Sequence, residues 1–242
     1  MAYNFLDLVN EVNRSLNEVE LTSSNFSSAT GFYAKVKDSV NTAIRDINHT
    51  HYEWPFNHVL AEETLSAGAI RYAYPTDANT IDFDSFRIKE DATLGNRTVK
   101  LSSISYEDYL NRFIDHEYTP DTNKQTLPTY VFQTPSLEFG IVPAPDQAYE
   151  LLYEYYRIPV DLENFDNVPD IPERFRHVIV DGAMFYAYMF RGNEQSAGIS
   201  KQKYDEGVKR MRSMLVNRYG YVRSGMITPV SGSVRSFGDR VK

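Results

Sequence analysis

Cysteine is absent from the 242 residues. That excludes disulfides, thiol nucleophiles, zinc ribbons and iron–sulfur clusters. A chain of this length buries roughly 70–75% of the surface its unfolded form exposes, so it needs no such staple. No run approaches the about 18 consecutive apolar residues that would span a bilayer. The opening MAYNFLDLVNEVNRSL lacks a basic stretch followed by an apolar run, so no secretion signal is expected and synthesis in a reducing bacterial cytosol is. The sequons at Asn25, Asn48 and Asn96 carry no meaning in that setting. A basic excess is missing too. The net charge is −8, which argues against a nucleic-acid binder held by phosphate contacts.

Catalytic signatures are also lacking. There is no GxSxG, HExxH or GxGxxG, and the nearest approach to a phosphate loop, Gly220 and Gly225, is followed by Met226-Ile227 in place of Lys and a hydroxyl. Asp77, Asn79, Asp82 and Asp84 crowd together, yet a calcium loop wants a central Gly and a distal Glu, and Ile88 stands where that Glu would be. They read as a solvated turn. His49 and His51 could present two imidazoles with His58 as a third ligand. The simpler reading is a helix end, with His49 complementing its C-terminal carbonyls. Asp115-His116-Glu117 reads as an exposed helix end, and His177 as a partly buried, satisfied histidine. No metal, cofactor or catalytic residue is expected.

What is present is aromatic. Tyr occurs 18 times and Phe 14 times against a single Trp, and Tyr is favoured at protein interfaces. Periodicity divides the chain. Residues 4–18 form a helix with Phe5, Leu8, Val9, Val12 and Leu16 on one stripe and Asn4 as cap. Residues 31–48 form a second, with Phe32, Val36, Val40, Ala43, Ile44 and Ile47 on its stripe and Thr30 as cap. The short Ser-rich connection implies an antiparallel pair. Trp54 and Phe56 close the base where helix gives way to strand. An aromatic before Pro55 raises the odds of a cis bond, although trans is the default.

Short β-branched runs then follow at 57–64, 69–74, 80–83, 85–89, 97–104, 129–134, 137–142 and 148–157, broken by turn residues. They suggest an antiparallel meander or small sandwich. One helix, 105–118, interrupts them, with Ser105 at its start. After a Pro-interrupted linker, 158–171, a third bundle helix begins near Pro172 and ends at Gly192-Asn193. It is apolar around much of its surface, which places it centrally. The last helix spans 200–218.

The end of the chain is different. From Arg218 onward five basic residues face only Asp239, giving +4 and leaving −12 on the rest. Gly220, Gly225, Gly232 and Gly238 loosen the backbone, and few apolar groups offset ordering entropy. The tail is expected to be disordered when free and ordered in an assembly. Tyr219, Tyr221, Met226, Ile227 and Phe237 are spaced as anchors for a partner's pockets, and Arg223, Arg235 and Arg240 suit carboxylates. A DNA-binding arm is the rival reading.

The expected fold is therefore α+β: a four-helix bundle made of N-terminal and C-terminal helix pairs, with an inserted antiparallel β region and an extended tail. Its parts are 1–53, 54–160, 161–218 and 219–242.

FLDLVNEVNRSLNEVEL, a Ser-rich break, GFYAKVKDSVNTAIRDINHTHYEWPFNH and the late IPERFRHVIVDGAMFYAYMFRGNEQSAGISKQKYDEGVKRMRSML resemble the head-to-tail adaptor proteins of tailed bacteriophages. These are also called connector, head completion or tail tubular proteins. The resemblance covers both helix pairs and their order, and the large β insert points to short-tailed phages. It implies a structural virion protein at the head–tail junction. It also implies a ring, usually twelve-fold, between the portal protein and a tail tubular or nozzle protein, with duplex DNA passing through the lumen unheld. It implies no enzymatic activity and offers no invariant site. Family members commonly dock on the portal through a C-terminal arm, a role residues 219–242 fit. The acidic body has two readings, plain solubility or carboxylates facing the duplex. The alternatives to an adaptor are a monomeric ligand-binding or enzyme-like α+β domain, and another tail or capsid completion subunit.

Overall fold

The computed structural model describes residues 3–89, 98–118 and 124–215. Its order is helices α1 (Phe5–Ser15) and α2 (Phe32–Thr50), strands β1 (His58–Thr64), β2 (Arg71–Ala73), β3 (Ala78–Lys89), β4 (Thr98–Lys100) and β5 (Ser102–Ile104), helices α3 (Tyr106–Arg112) and α4 (Ile114–Tyr118), strands β6 (Tyr130–Gln133), β7 (Glu138–Val142) and β8 (Glu150–Arg157), then α5 (Arg176–Phe190) and α6 (Glu194–Leu215). The class is α+β.

Helix α1 starts where Asn4 and Asp7 form a reciprocal capping box. It stops at Ser15, short of the expected residue 18, and Asn17 follows with a left-handed φ of 57°. Thr30 does not cap α2. Gly31 does so without a side-chain bond, at φ 62°, a conformation that favours glycine. Helix α6 begins six residues earlier than its apolar stripe suggested. Asn193 explains this: its Oδ1 accepts from the Ser196 N–H and its carbonyl from the Ala197 N–H.

Helices α1, α2, α5 and α6 bury their apolar faces in one core that also takes in Trp54, Leu162 and Ile171. Helix α5 is the central one, packed on α1, α2 and α6. Glycine lets it approach closely. A Cβ at Gly182 would stand 2.8 Å from the Tyr204 ring and 2.9 Å from the Ala43 methyl. Trp54 is fully buried, and its indole N–H donates to the Ile47 carbonyl at 2.9 Å, near the C-terminal end of α2. The ring lies 5.5 Å from Phe56 and nearly parallel to it. The cis proline bond among the described residues is Val142–Pro143, not Trp54–Pro55.

The strands form two four-stranded sheets, ordered β1-β8-β3-β4 and β2-β7-β6-β5. Both contribute to a second core, with Phe86, Ile88, Leu151 and Tyr153 from the first facing Val131, Phe139 and Ile141 from the second. Three expectations need correction. The strands expected at 80–83 and 85–89 are one strand, β3, with an irregularity between Asp82 and Arg87 against β8. The run expected at 97–104 splits into β4 and β5, which belong to different sheets. And β5 pairs with β6 in parallel, the exception among antiparallel pairings. The helix expected at 105–118 divides at Phe113 into α3 and α4, with Ser105 capping α3 as its spacing suggested.

Candidate assembly surface

The linker between β8 and α5, residues 158–171, has no regular structure because Pro159 and Pro169 interrupt it. It is nevertheless held along its whole length. Asn41 on α2 donates to the Leu162 carbonyl at 2.9 Å and accepts from the Leu162 N–H at 3.1 Å. The Arg45 guanidinium grips Asp161 through both carboxylate oxygens and holds that carboxyl below its usual range. Arg157 pairs with Asp170. The carbonyls of Phe165 and Asn167 accept from the Leu6 and Phe5 N–H groups, donors that the first turn of α1 would otherwise leave open. Leu162 and Ile171 are buried beneath. The result is a strap over α1 and α2, with a cleft of about 270 Å³ bounded by Ile44, Asn48, Pro159 and Val168.

The strap exposes apolar side chains, two of them, Val160 and Val168, at the rim of this cleft. Ile158, Val160, Phe165 and Val168 are exposed, Val160 to 79%. Glu163 and Asp166 stand exposed between them.

Helix α6 presents a second surface. Tyr204, Gly207, Val208 and Met211 face the core. Ile199, Lys203, Arg210 and Met214 form an exposed stripe on one flank of the helix, about 100° around its axis from the buried side, at i, i+4, i+11 and i+15, with Ile199 56% and Met214 67% exposed. Between α2, α5 and α6 lies a groove of about 580 Å³ lined by Asp46, His49, Tyr186, Lys201, Tyr204 and Lys209. The Tyr186 hydroxyl donates to Asp46, and burial together with that bond pushes its pKa up to about 12. Burial raises the Tyr204 hydroxyl as well, and Lys201 sits 4.9 Å above its ring.

Chemistry at other candidate positions is structural. The three histidines do not converge. His49 ends α2 beside the groove. His51 packs edge-on against Trp54, its pKa lowered by burial and by Arg212. His58 contacts Glu154 at 3.1 Å. Asp77 accepts from the Tyr155 hydroxyl at 3.1 Å, Asn79 lies on β3, and Asp82 accepts from the Asp84 N–H at 2.9 Å within the irregular part of β3. Among the described residues no group of three or more His, Asp and Glu could hold a metal ion.

His177 is exposed, against the expectation of partial burial, because it falls on the outer side of α5. Glu117 is no exposed helix end. Arg71 on β2 binds both of its oxygens, at 2.8 and 3.0 Å, and the Tyr109 hydroxyl donates to it. Burial works to raise the Glu117 pKa, but those bonds prevail and lower it. Nothing in the local sequence signals this pair, whose members are 46 positions apart. The docking residues expected at Tyr219, Tyr221, Arg223, Met226, Ile227, Arg235, Phe237 and Arg240 lie outside the described residues.

No helix among the described residues is long and apolar enough to cross a membrane. No curated protein matches the chain. The model of the family described as SU10 adaptor protein matches residues 3–229, nearly the whole sequence, and the chain belongs to that family of bacteriophage head-to-tail adaptors.

Proposed function

We propose that this protein forms a ring, twelve-fold in the manner of head-to-tail adaptors, between the portal protein and the tail tubular or nozzle protein of a short-tailed phage. Its place is then the virion, at the head–tail junction, where DNA is ejected through the lumen without specific binding. The observation that carries this reading is the family match over residues 3–229. In this role α1, α2, α5 and α6 act as a four-helix bundle, the rigid body of each subunit, and the strands at 54–160 are an insert reaching away from it. The family is not an enzyme family, and we assign the chain no catalytic step. Residues 219–242 dock on the portal, with Tyr219, Tyr221, Met226, Ile227 and Phe237 as anchors and Arg223, Arg235 and Arg240 pairing with carboxylates.

The free protein is expected to be a monomer or small oligomer, since acidic bodies repel one another at low salt, and to close into a ring on the portal. Negative-stain imaging and light scattering of the protein alone, then mixed with the portal of the same phage, test this. Rings seated on portal particles are expected. Absence of binding, or a stable large ring without any partner, would overturn the respective part of the reading.

A further inference from the structure

A closed ring repeats one contact between two different patches of the same chain. Two such patches are on the surface. The strap is apolar at Ile158, Val160, Phe165 and Val168, and residues 158–171 contain four acidic residues and no basic one. Two of those acids, Asp161 and Asp170, are neutralised by Arg45 and Arg157. Glu163 and Asp166 have no ion-pair partner among the described residues and point the residual charge outward. The outer stripe of α6 has the converse character. Ile199 and Met214 supply apolar ends, and Lys203 and Arg210 lie between them, with Glu206 reaching Arg210 only at 4.0 Å.

Helix α2 shows how the two patches are disposed. Asn41, Arg45 and Asn48 face the strap. Asp46 and Thr50 face the groove shared with α6. At 100° per residue these two sets lie roughly 150° apart around the helix axis. The strap and α6 therefore flank the helical layer on nearly opposite sides, as a head-to-tail contact requires. The strap is also held before any partner arrives, by Asn41, Arg45 and the first turn of α1, so little ordering entropy opposes docking.

We infer that the strap of one copy seats on the outer stripe of α6 of the next copy, and that this apolar, charge-complementary contact is the repeated joint of the assembly. This rests on the ring reading above and goes beyond it in assigning the two faces.

The test uses the full chain assembled with portal. The double variant Glu163→Lys/Asp166→Lys, and separately Lys203→Glu/Arg210→Glu, should each lower ring yield at least about tenfold by placing like charges opposite one another. All four sites are exposed, and the Glu163→Lys/Asp166→Lys variant should keep a thermal midpoint near the wild-type value. Lys203 also acts on Asp181 of α5, so the Lys203→Glu/Arg210→Glu variant is compared with the four-site variant, which carries the same change on α6. Combining all four reversals should restore assembly. Wild-type yield from either double variant, or no recovery in the four-site variant, overturns the assignment. Because the natural chain has no cysteine, a second readout is clean. Val160→Cys/Ile199→Cys should give a ladder of disulfide-linked multimers on oxidation, and each single variant should stay monomeric on a denaturing gel. Dimers from a single variant would indicate a two-fold contact and also overturn it. If the unaltered protein forms no ring with portal, the ring reading itself falls and takes this contact with it. That result appears in the wild-type arm and is separate from failure in the variants.

Discussion

Asn41 on α2 and Leu162 in the strap, 121 positions apart, are joined by two hydrogen bonds, one to each backbone group of Leu162. A single side-chain amide satisfies a donor and an acceptor that no secondary structure would otherwise pair. The Leu162 side chain is thereby held in the helical core. Replacing Asn41 with Ala leaves both groups short of a partner, and the expected cost is about 1–3 kcal/mol. Asn41→Asp keeps the acceptor alone and should fall between. Urea unfolding of the three proteins measures this, and an unchanged midpoint for the Ala variant would show that the clasp is not a holding contact.

Two glycines in the C-terminal helices should respond in opposite directions to the same change. Gly182→Ala puts a methyl 2.8 Å from the Tyr204 ring and 2.9 Å from the Ala43 Cβ. The ring could swing aside. The Ala43 methyl is fixed to α2, so the helices must separate, at an expected cost of about 1–3 kcal/mol. Gly198 on α6 has open space where its Cβ would be. Gly198→Ala should therefore stabilise by about 0.5–1 kcal/mol through helix propensity alone. Thermal unfolding of the pair provides the check, and a stabilised Gly182→Ala would mean that α2 and α5 are not closely packed there.

These particulars show where the sequence was informative. The stripes on α1 and α2, the Asn4 and Ser105 caps and the central place of α5 were legible because each depends on residues within a few turns of one another. The start of α6 was readable in principle from Asn193, but EQSAGIS has too few large apolar residues to show a stripe. The parallel pairing of β5 with β6 and the Arg71–Glu117 pair depend on tertiary placement, which no local pattern carries. The strap is the instructive case. Its prolines mark it as a linker, and so it is locally. Its four exposed apolar side chains acquire meaning only once Asn41 and Arg45 are seen to fix how the strap lies on the helices.

Acid should act on the fold through carboxyls shifted in opposite directions. Glu117 lies below its ordinary 4.5 because Arg71 and Tyr109 hold it ionised against the effect of burial. A carboxyl lowered by folding contributes stability above its unfolded pKa and loses it as pH falls through the folded value. Glu117→Gln should then cost about 1–3 kcal/mol at neutral pH, with the difference from wild type closing well below pH 4.5. Asp181 is raised above its ordinary 3.8 by burial, despite Lys203 and His177. Its ionisation therefore opposes folding at neutral pH, and that cost is relieved as pH falls through the raised value. Asp181→Asn should stabilise slightly at neutral pH, by less than about 1 kcal/mol since the group is half-exposed, and should be indistinguishable from wild type in strong acid. Unfolding midpoints across this range decide both, and opposite signs would reject the assignments.

Truncation after Arg218 separates folding from docking. The last core contacts that α6 supplies come from Met211, fully buried, and Leu215, packed at the edge of the helical core, and both precede the cut. The shortened chain should keep the wild-type unfolding midpoint. It should also lose portal binding, because the removed segment carries the Tyr, Met, Ile and Phe anchors together with Arg223, Arg235 and Arg240. The competing role is an arm for DNA, since the segment from Arg218 has five basic residues against one acid. The two roles differ in salt response. Full phosphate engagement by the four basic groups of residues 219–242 would give a log–log slope of roughly −3 to −4 on duplex DNA, whereas docking of apolar anchors depends weakly on salt. A synthetic 219–242 peptide titrated against portal and against duplex DNA, alongside the truncated chain, resolves them. Normal portal assembly by the truncated chain, or a steeply salt-dependent peptide that binds DNA and ignores portal, would end the docking assignment for the tail.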